Sequence, residues 1–223
     1  YDSFMDELRE GSDATVIIAA EYAHDYPGAV IEEEPEEQAE HEGDDHDHIE
    51  GFNEHVWFDV HTITHVVEQI AADLTAIDPE GAADYEANAA RLVADLQGVD
   101  NSYKTSLSTC TQKTFITTHA AFGYMARRYG LNQIGISGLS PDEEPSPTRI
   151  AKVQDLAKQN NVTTIFYETL ISPKVAESIA GDLHLKTDVL DPLEGITDKS
   201  RGSDYLQVMD SNLTALKTAN GCS

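Results

Sequence analysis

Three polar side chains able to bind a divalent metal ion each follow a short segment that is predicted to be a strand. His119 comes after KTFITT, Glu168 after TTIFY and Asp191 after KTDVL, and each segment is typical of a strand. Ligands of parallel α/β sheets bind at the carboxyl ends of the strands, so we expect these side chains to lie at one edge of a sheet. For each residue taken alone, a structural role such as capping the following helix is an open alternative.

A fourth candidate, His55, lies in NEHVWFD, directly before an aromatic pair that can anchor the backbone by burial. Neutral imidazoles suit Zn²⁺, Cu²⁺ and Ni²⁺, whereas Mn²⁺ prefers oxygen-rich sites. The imidazoles of His55 and His119, with the carboxylate of Asp191, therefore favour zinc. The alternative is a zinc-dependent hydrolase with an open three-ligand site of His55, His119 and Asp191, and with Glu168 as general base.

Residues 32–54 hold twelve acidic residues and three histidines, without a single lysine or arginine. Such a segment cannot bury enough apolar surface to fold, so we predict a flexible acidic, histidine-rich loop. Its histidines would form only weak accessory metal sites because they lack a fixed geometry. These histidines are His41, His46 and His48. A third hypothesis is therefore a metal buffer in which this loop is the functional part.

Three further histidines are expected to have no role in the site. His61 and His65 are four residues apart on a predicted helix, as in zinc protease motifs, but no glutamate lies between them to act as general base. They fall beside Glu68 on the polar face, so we predict a solvated helix surface. His184 lies at a predicted helix end, where it would interact with the helix dipole.

The formal net charge of -27, with no lysine or arginine between Arg9 and Arg91, excludes nucleic acid as a partner. No run of about 18 apolar residues exists, so no membrane span is predicted.

The sequence opens directly in a predicted helix over 1–11, and we expect that the front of the natural protein, with any signal or lipid attachment site, precedes it. We expect a monomer.

Two cysteines, Cys110 and Cys222, lie far apart and near no second thiol, so neither a thiolate zinc site nor a CxxC redox motif is supported. The even count favours one disulfide that ties the C-terminus to the body of the last lobe. The alternative is a pair of buried free thiols in a reducing compartment.

Apolar periodicity predicts an α/β fold. A strand is predicted over 14–20, a helix from the N-cap candidate Asp59 to the break before Pro79, and a helix of about 25 residues after it, long enough to join two lobes. The predicted inward face of the long helix carries Tyr85, Ala89, Leu92 and Leu96. Strands and helices then alternate, which indicates a parallel sheet flanked by helices. The strands are predicted over 113–118, 131–137, 163–167 and 186–190, and the helices over 120–129, 148–160, 173–183 and 203–218.

Four phrases carry a family resemblance. They are HVWFD (55–59), TTHAAFGY (117–124), IFYET (165–169) and LDPLE (190–194), around a long helix that follows DPEGAADYEAN. In order and spacing they resemble the zinc-specific, ZnuA-like branch of the cluster A-I substrate-binding proteins of ABC transporters. The resemblance implies two α/β lobes with parallel sheets, joined by one long rigid helix, with a metal site in the cleft between the lobes.

On this resemblance, 1–78 are the rest of the N-terminal lobe, 79–106 the linking helix and 107–223 the C-terminal lobe. His55 from the first lobe and His119 and Asp191 from the second would bind transported Zn²⁺, with Glu168 close by. Family members carry a further histidine on a loop upstream of this sequence. With it, the set would be a closed tetrahedral zinc site, which has no position for an activated water and favours transport. The implied protein is no enzyme. It delivers zinc to an ABC-type membrane permease from the periplasm or the outer face of the membrane, as a secreted or lipid-anchored protein.

Overall fold

The computed structural model describes residues 53–140 and 144–223. The predicted strand over 14–20, nearly all of the predicted acidic loop, and its histidines His41, His46 and His48 lie outside the described residues. Within the described ranges, no helix is both long and apolar enough to cross a membrane.

The first described helix, α1 (Val60–Ile77), begins where the sequence predicts. Asp59 is its N-cap, and the carboxylate of Asp59 accepts the main-chain N–H of His61 at 3.2 Å and the hydroxyl of Thr62 at 2.9 Å. The helix ends before Pro79, because the residue that precedes a proline is disfavoured in helical conformation. A short 3₁₀ turn, Pro79–Gly81, then redirects the chain.

The long predicted helix is confirmed as α2 (Ala82–Ser108), whose 27 residues span about 40 Å. Its buried side chains lie in its C-terminal half, at Leu96, Asp100, Tyr103 and Leu107. The prediction that Leu92 faces inward is wrong, since 41% of this residue is exposed. The first half of α2 packs on α1, and its second half packs on the last helix of the chain.

A four-stranded parallel sheet follows, as the alternating pattern predicts. Its strand order is β2-β1-β3-β4. The strands are β1 (Thr114–Thr117), β2 (Asn132–Gly135), β3 (Thr164–Tyr167) and β4 (Lys186–Val189), and the helices are α3 (Gly123–Arg128), α4 (Pro147–Gln159), α5 (Lys174–Leu183) and α6 (Tyr205–Asn220). Each observed element lies within three residues of its predicted boundaries.

Helices cover both faces of this sheet, and neighbouring residues of one strand face opposite layers. On β1, Phe115 packs into a core that includes Tyr103 of α2 and Met209 of α6. The next residue, Ile116, packs into a second core with Val153 of α4 and Ile179 of α5. Because both faces are covered, nearly every residue of the two central strands, β1 and β3, is buried. The edge strand β4, KTDV, is exposed at its first two residues.

A disulfide joins Cys110, just beyond α2, to Cys222, just beyond α6. This pairing confirms the prediction of one bridge and excludes the alternative of two free thiols. The bridge fastens the C-terminal segment to the end of the long helix.

Candidate metal centre

His119 reaches the site because β1 ends two residues before it, at the carboxyl edge of the sheet. The hydroxyl of Thr117 donates to the main-chain carbonyl of His119 at 2.6 Å and fixes the turn that follows the strand. Glu168 follows β3, which pairs directly with β1, so the sheet places the two side chains next to each other. The predicted convergence of His119 and Glu168 at one sheet edge is therefore observed.

The imidazole of His119 is held by its Nδ1 atom, which lies 2.6 Å from Oε1 of Glu168. Both residues are buried, and the same Oε1 accepts the main-chain N–H of His119 and the hydroxyl of Thr118. A carboxylate on one ring nitrogen fixes the tautomer and leaves the other nitrogen available as a ligand atom. Nε2 of His119 therefore faces away from Glu168.

His55 is oriented in the same way from the other side. Oδ1 of Asn53 accepts both the main-chain N–H of His55, at 3.0 Å, and its Nδ1–H, at 2.7 Å. His55 is fully buried, and the hydroxyl of Tyr124 donates to the main-chain carbonyl of Asn53 at 2.8 Å, which holds this segment on the lobe. Nε2 of His55 thus points at the sheet edge with its lone pair unused by Asn53.

The third member of the cluster is Glu194, in the loop after β4. Its Oε1 lies 3.1 Å from Nε2 of His55 and 3.1 Å from Nε2 of His119, and the two nitrogens are 3.2 Å apart. The three atoms form a nearly equilateral triangle of potential metal ligands. The histidine rings are fully buried, whereas 24% of the Glu194 side chain is exposed, so the triangle opens to solvent on the glutamate side.

The short contacts within this cluster shift the pKa values of His119 and Glu194. Burial disfavours the imidazolium of His119, but hydrogen bonds to Glu168 and Glu194 outweigh burial and raise the pKa of His119 to about 9. Hydrogen bonds from His119 and His55 lower the pKa of Glu194 to about 2, against the effect of its partial burial. A positive charge is therefore stabilised between these side chains.

Asp191 does not join the triangle. Its Oδ1 accepts the main-chain N–H of Leu193 at 2.9 Å, and its Oδ2 accepts the hydroxyl of Thr169 at 3.2 Å. The side chain of Asn212 bonds both the main-chain N–H and the main-chain carbonyl of Asp191. Asp191 is buried and shapes the loop that carries Glu194, including the left-handed backbone of Leu193 at φ 60°.

Glu194 is the site residue that the sequence reasoning missed. It lies in the phrase LDPLE, but the strand-end rule selects Asp191, which is nearest to β4. Glu194 reaches the edge of the sheet only because the loop folds back over it. The fold-back is supported by the indole N–H of Trp57, which donates to the main-chain carbonyl of Pro192 at 2.8 Å.

The other histidines of the described ranges, His61, His65 and His184, lie where the sequence predicts. His61 and His65 are exposed on α1, which confirms a solvated helix face, although their Nε2 atoms approach to 3.2 Å. His184 is the C-cap residue of α5, in the left-handed conformation at φ 55°. Neither group lies in the His55, His119 and Glu194 cluster.

A parallel α/β lobe with two buried histidines and a glutamate converging at the carboxyl edge of its sheet is the arrangement of a metal-binding α/β protein. Its particular family follows from comparison with known proteins. The chain belongs to the ZnuA family, described as zinc-uptake complex component A, periplasmic, whose family model matches residues 1–219. The resemblance noted from the four sequence phrases is thereby confirmed.

Individual relatives agree with this assignment. The zinc-binding lipoprotein AdcA of Streptococcus pneumoniae serotype 4 is 41% identical over 184 residues, which cover 82% of this chain and 37% of that protein. The high-affinity zinc uptake system protein ZnuA of Bacillus subtilis is 41% identical over 165 residues, 73% of this chain and 52% of that protein. The chain thus corresponds to only part of the length of these relatives.

A solved structure extends the likeness to three dimensions. The crystal structure of the Zn(II)-bound ZnuA-like domain of Streptococcus pneumoniae AdcA superposes with a TM-score of 0.64 at 41% sequence identity. The match covers 76% of this chain and 64% of that one. The α/β fold with a parallel sheet is therefore the fold of this family.

Proposed function

We propose that this protein captures Zn²⁺ outside the cytoplasm and delivers it to the permease of an ABC-type importer, and that His55, His119 and Glu194 bind the ion. The observation that carries the proposal is the triangle of ligand atoms with edges of 3.1 to 3.2 Å. Four tetrahedral bonds of about 2.0 Å put neighbouring ligand atoms about 3.3 Å apart. The triangle therefore has the dimensions of one face of a zinc coordination tetrahedron.

The chemistry of the ligand atoms supports zinc over other divalent ions. Two imidazole nitrogens and one carboxylate oxygen suit Zn²⁺, whereas Mn²⁺, Mg²⁺ and Ca²⁺ prefer sites made of oxygen. Asn53 and Glu168 hold the Nδ1 atoms of the two histidines, so both Nε2 atoms are directed at the ion. Zn²⁺ would replace the positive charge that the cluster stabilises on His119.

The fourth ligand, in this proposal, is the upstream histidine that the family resemblance implies. Like His55, it would belong to the N-terminal lobe over 1–78, whereas His119 and Glu194 belong to the lobe over 107–223, so the ion would lie in the cleft between two lobes joined by the long helix. The acidic loop with His41, His46 and His48 would add weak sites beside it.

A hydrolase is less well supported by the same geometry. A general base must reach a metal-bound water directly, or through one intervening water. Glu168 contacts the Nδ1 side of the His119 ring, so the ring separates that carboxylate oxygen from the ligand triangle. Asp191, the third ligand of the hydrolase hypothesis, is engaged by Leu193 and Thr169. We therefore propose that the protein is not an enzyme.

The proposed location and partner follow from the relatives, which are named as a zinc-binding lipoprotein and a zinc uptake system protein. The disulfide between Cys110 and Cys222 agrees with an oxidising compartment outside the cytoplasm. We propose a monomer, membrane-anchored or free in the periplasm, that works with a membrane permease.

Two isosteric substitutions in the full-length protein test the ligand set. Glu194→Gln should lower the affinity for Zn²⁺ by at least about 100-fold. This loss exceeds what is typical for a residue that only supports a metal ligand. Asp191→Asn is the matched control and should lower it much less. Competitive titration against a chelator measures both. If Asp191→Asn abolishes tight binding and Glu194→Gln does not, the ligand set predicted from the sequence is correct and ours is wrong.

A further inference from the structure

The exposed face of α1 carries a second pair of histidines, whose ring nitrogens lie close together. The Nε2 atoms of His61 and His65 approach to 3.2 Å. Their rings are 4.4 Å apart between centroids and lie edge to face at 76°. Residues four apart lie one above the other on a helix, and this is the spacing with which two histidines of zinc protease helices bind one ion.

A carboxylate lies near one of these rings. Oε2 of Glu68 lies 3.4 Å from Nδ1 of His65, one helical turn further along α1. The distance between the two Nε2 atoms is close to the tetrahedral edge of about 3.3 Å expected for bonds of about 2.0 Å.

We propose that His61 and His65 form a second metal site, distinct from the His55, His119 and Glu194 cluster, for a borderline divalent cation such as Zn²⁺. The two Nε2 nitrogens would be its protein ligands. Such a donor pair selects Zn²⁺, Cu²⁺ or Ni²⁺ over Mg²⁺ and Ca²⁺, which require oxygen ligands. Two protein ligands on an exposed helix bind more weakly than a buried, closed set, so the site acts as a low-affinity point of capture on an acidic protein.

The competing explanation of the 3.2 Å contact is a single shared proton, in which one Nε2–H donates to the other Nε2. That arrangement needs no metal. The two explanations differ in one measurable respect: a metal site gives saturable binding that requires both histidines, whereas a shared proton gives none.

The test uses the full-length protein with one equivalent of Zn²⁺ already bound, titrated with further Zn²⁺ alone by isothermal calorimetry. The NMR signals of the histidine ring protons are followed in parallel. His61→Gln and His65→Gln should each weaken the binding of one additional equivalent of Zn²⁺ by at least about tenfold. Tenfold is the smallest loss typical when a residue that supports a metal ligand is replaced. His184→Asn is the matched control, because it removes another exposed histidine from a left-handed position that asparagine tolerates.

The result expected is loss of the additional equivalent in both glutamine variants, with the control and the first, tightly bound equivalent unchanged. Ring protons of His61 and His65 should shift together with the added Zn²⁺ in the parent protein. Unchanged binding in both variants, or shifts confined to the histidines of residues 32–54, would overturn the proposal. Since the first equivalent is measured separately in every variant, a failure here is distinguishable from a failure of the proposed transport site.

Discussion

The indole N–H of Trp57 donates to the main-chain carbonyl of Pro192 at 2.8 Å, and this bond joins the two segments that carry His55 and Glu194. The hydroxyl of Tyr205 adds a second bond, to the main-chain carbonyl of Trp57, at 2.9 Å. The loop that contains Glu194 is thus held against the segment that contains His55. Formation of the ligand triangle depends on this cross-connection as well as on the sheet.

Trp57→Phe keeps an aromatic ring in place but removes the N–H that bonds Pro192. We expect the Glu194 loop to move more freely and the affinity for Zn²⁺ to fall by about tenfold, as for other partners outside the ligand shell. Competition with a chelator measures the change. Tyr85→Phe is the matched control, since it removes one hydrogen bond, to Asp78, on the exposed surface at the start of α2. Equal affinities in Trp57→Phe and the parent protein would contradict the positioning role.

Glu168→Gln keeps the shape of a side chain that bonds Nδ1 of His119 but removes its charge. The neutral amide orients the ring less strongly and lowers the basicity of Nε2, so we expect the affinity for Zn²⁺ to fall by about 10- to 100-fold. Glu177→Gln on the exposed face of α5 serves as the control and should leave it unchanged. An effect of the same size in both variants would indicate that general surface charge, and not the contact with His119, is responsible.

Asp191→Asn should act mainly on stability. The buried carboxylate accepts the N–H of Leu193 and the hydroxyl of Thr169, and an amide can satisfy only one of these bonds as acceptor in the same geometry. We expect the free energy of unfolding of the metal-free protein to fall by about 1 to 3 kcal/mol. Urea unfolding measures this, and an unchanged midpoint would show that the contacts of Asp191 do not stabilise the loop.

Acid should destabilise the protein partly through Asp100 of α2. Burial alone would raise the pKa of Asp100, but hydrogen bonds from Arg128, Lys104 and Tyr129 lower it to about 2. Because the pKa is lower in the folded than in the unfolded chain, the stabilisation is complete above about pH 4 and is lost as the pH falls toward about 2. Unfolding free energies of the parent and Asp100→Asn, compared over that range, should converge at low pH. A difference in unfolding free energy between the two proteins that stays constant over that pH range would contradict this account.

Much of the fold follows from the sequence because its signals are local. Asp59 and Pro79 bracket α1, and the short segments that precede His119, Glu168 and Asp191 are strands of a parallel sheet. The exposure of Leu92 could not be predicted, because apolar spacing defines a helix face but not how far along the helix a partner covers it.

The site was only partly predictable, for a related reason. His119 and Glu168 are fixed by two neighbouring strands, so their convergence follows from topology. His55 lies outside the sheet, and its place in the site was implied by the family resemblance. Glu194 depends on how the loop after β4 folds back, through contacts between residues more than a hundred positions apart. No local pattern contains that information, and Asp191, the acidic residue nearest to the strand, was predicted in its place.

Anomalous diffraction at the zinc absorption edge, from crystals of the full-length protein grown with one equivalent of Zn²⁺, tests the central claim most directly. The account predicts a single strong peak about 2.0 to 2.2 Å from Nε2 of His55, Nε2 of His119 and one carboxylate oxygen of Glu194. A strong peak coordinated by Asp191, or one among His41, His46 and His48 with none at the triangle, would contradict it.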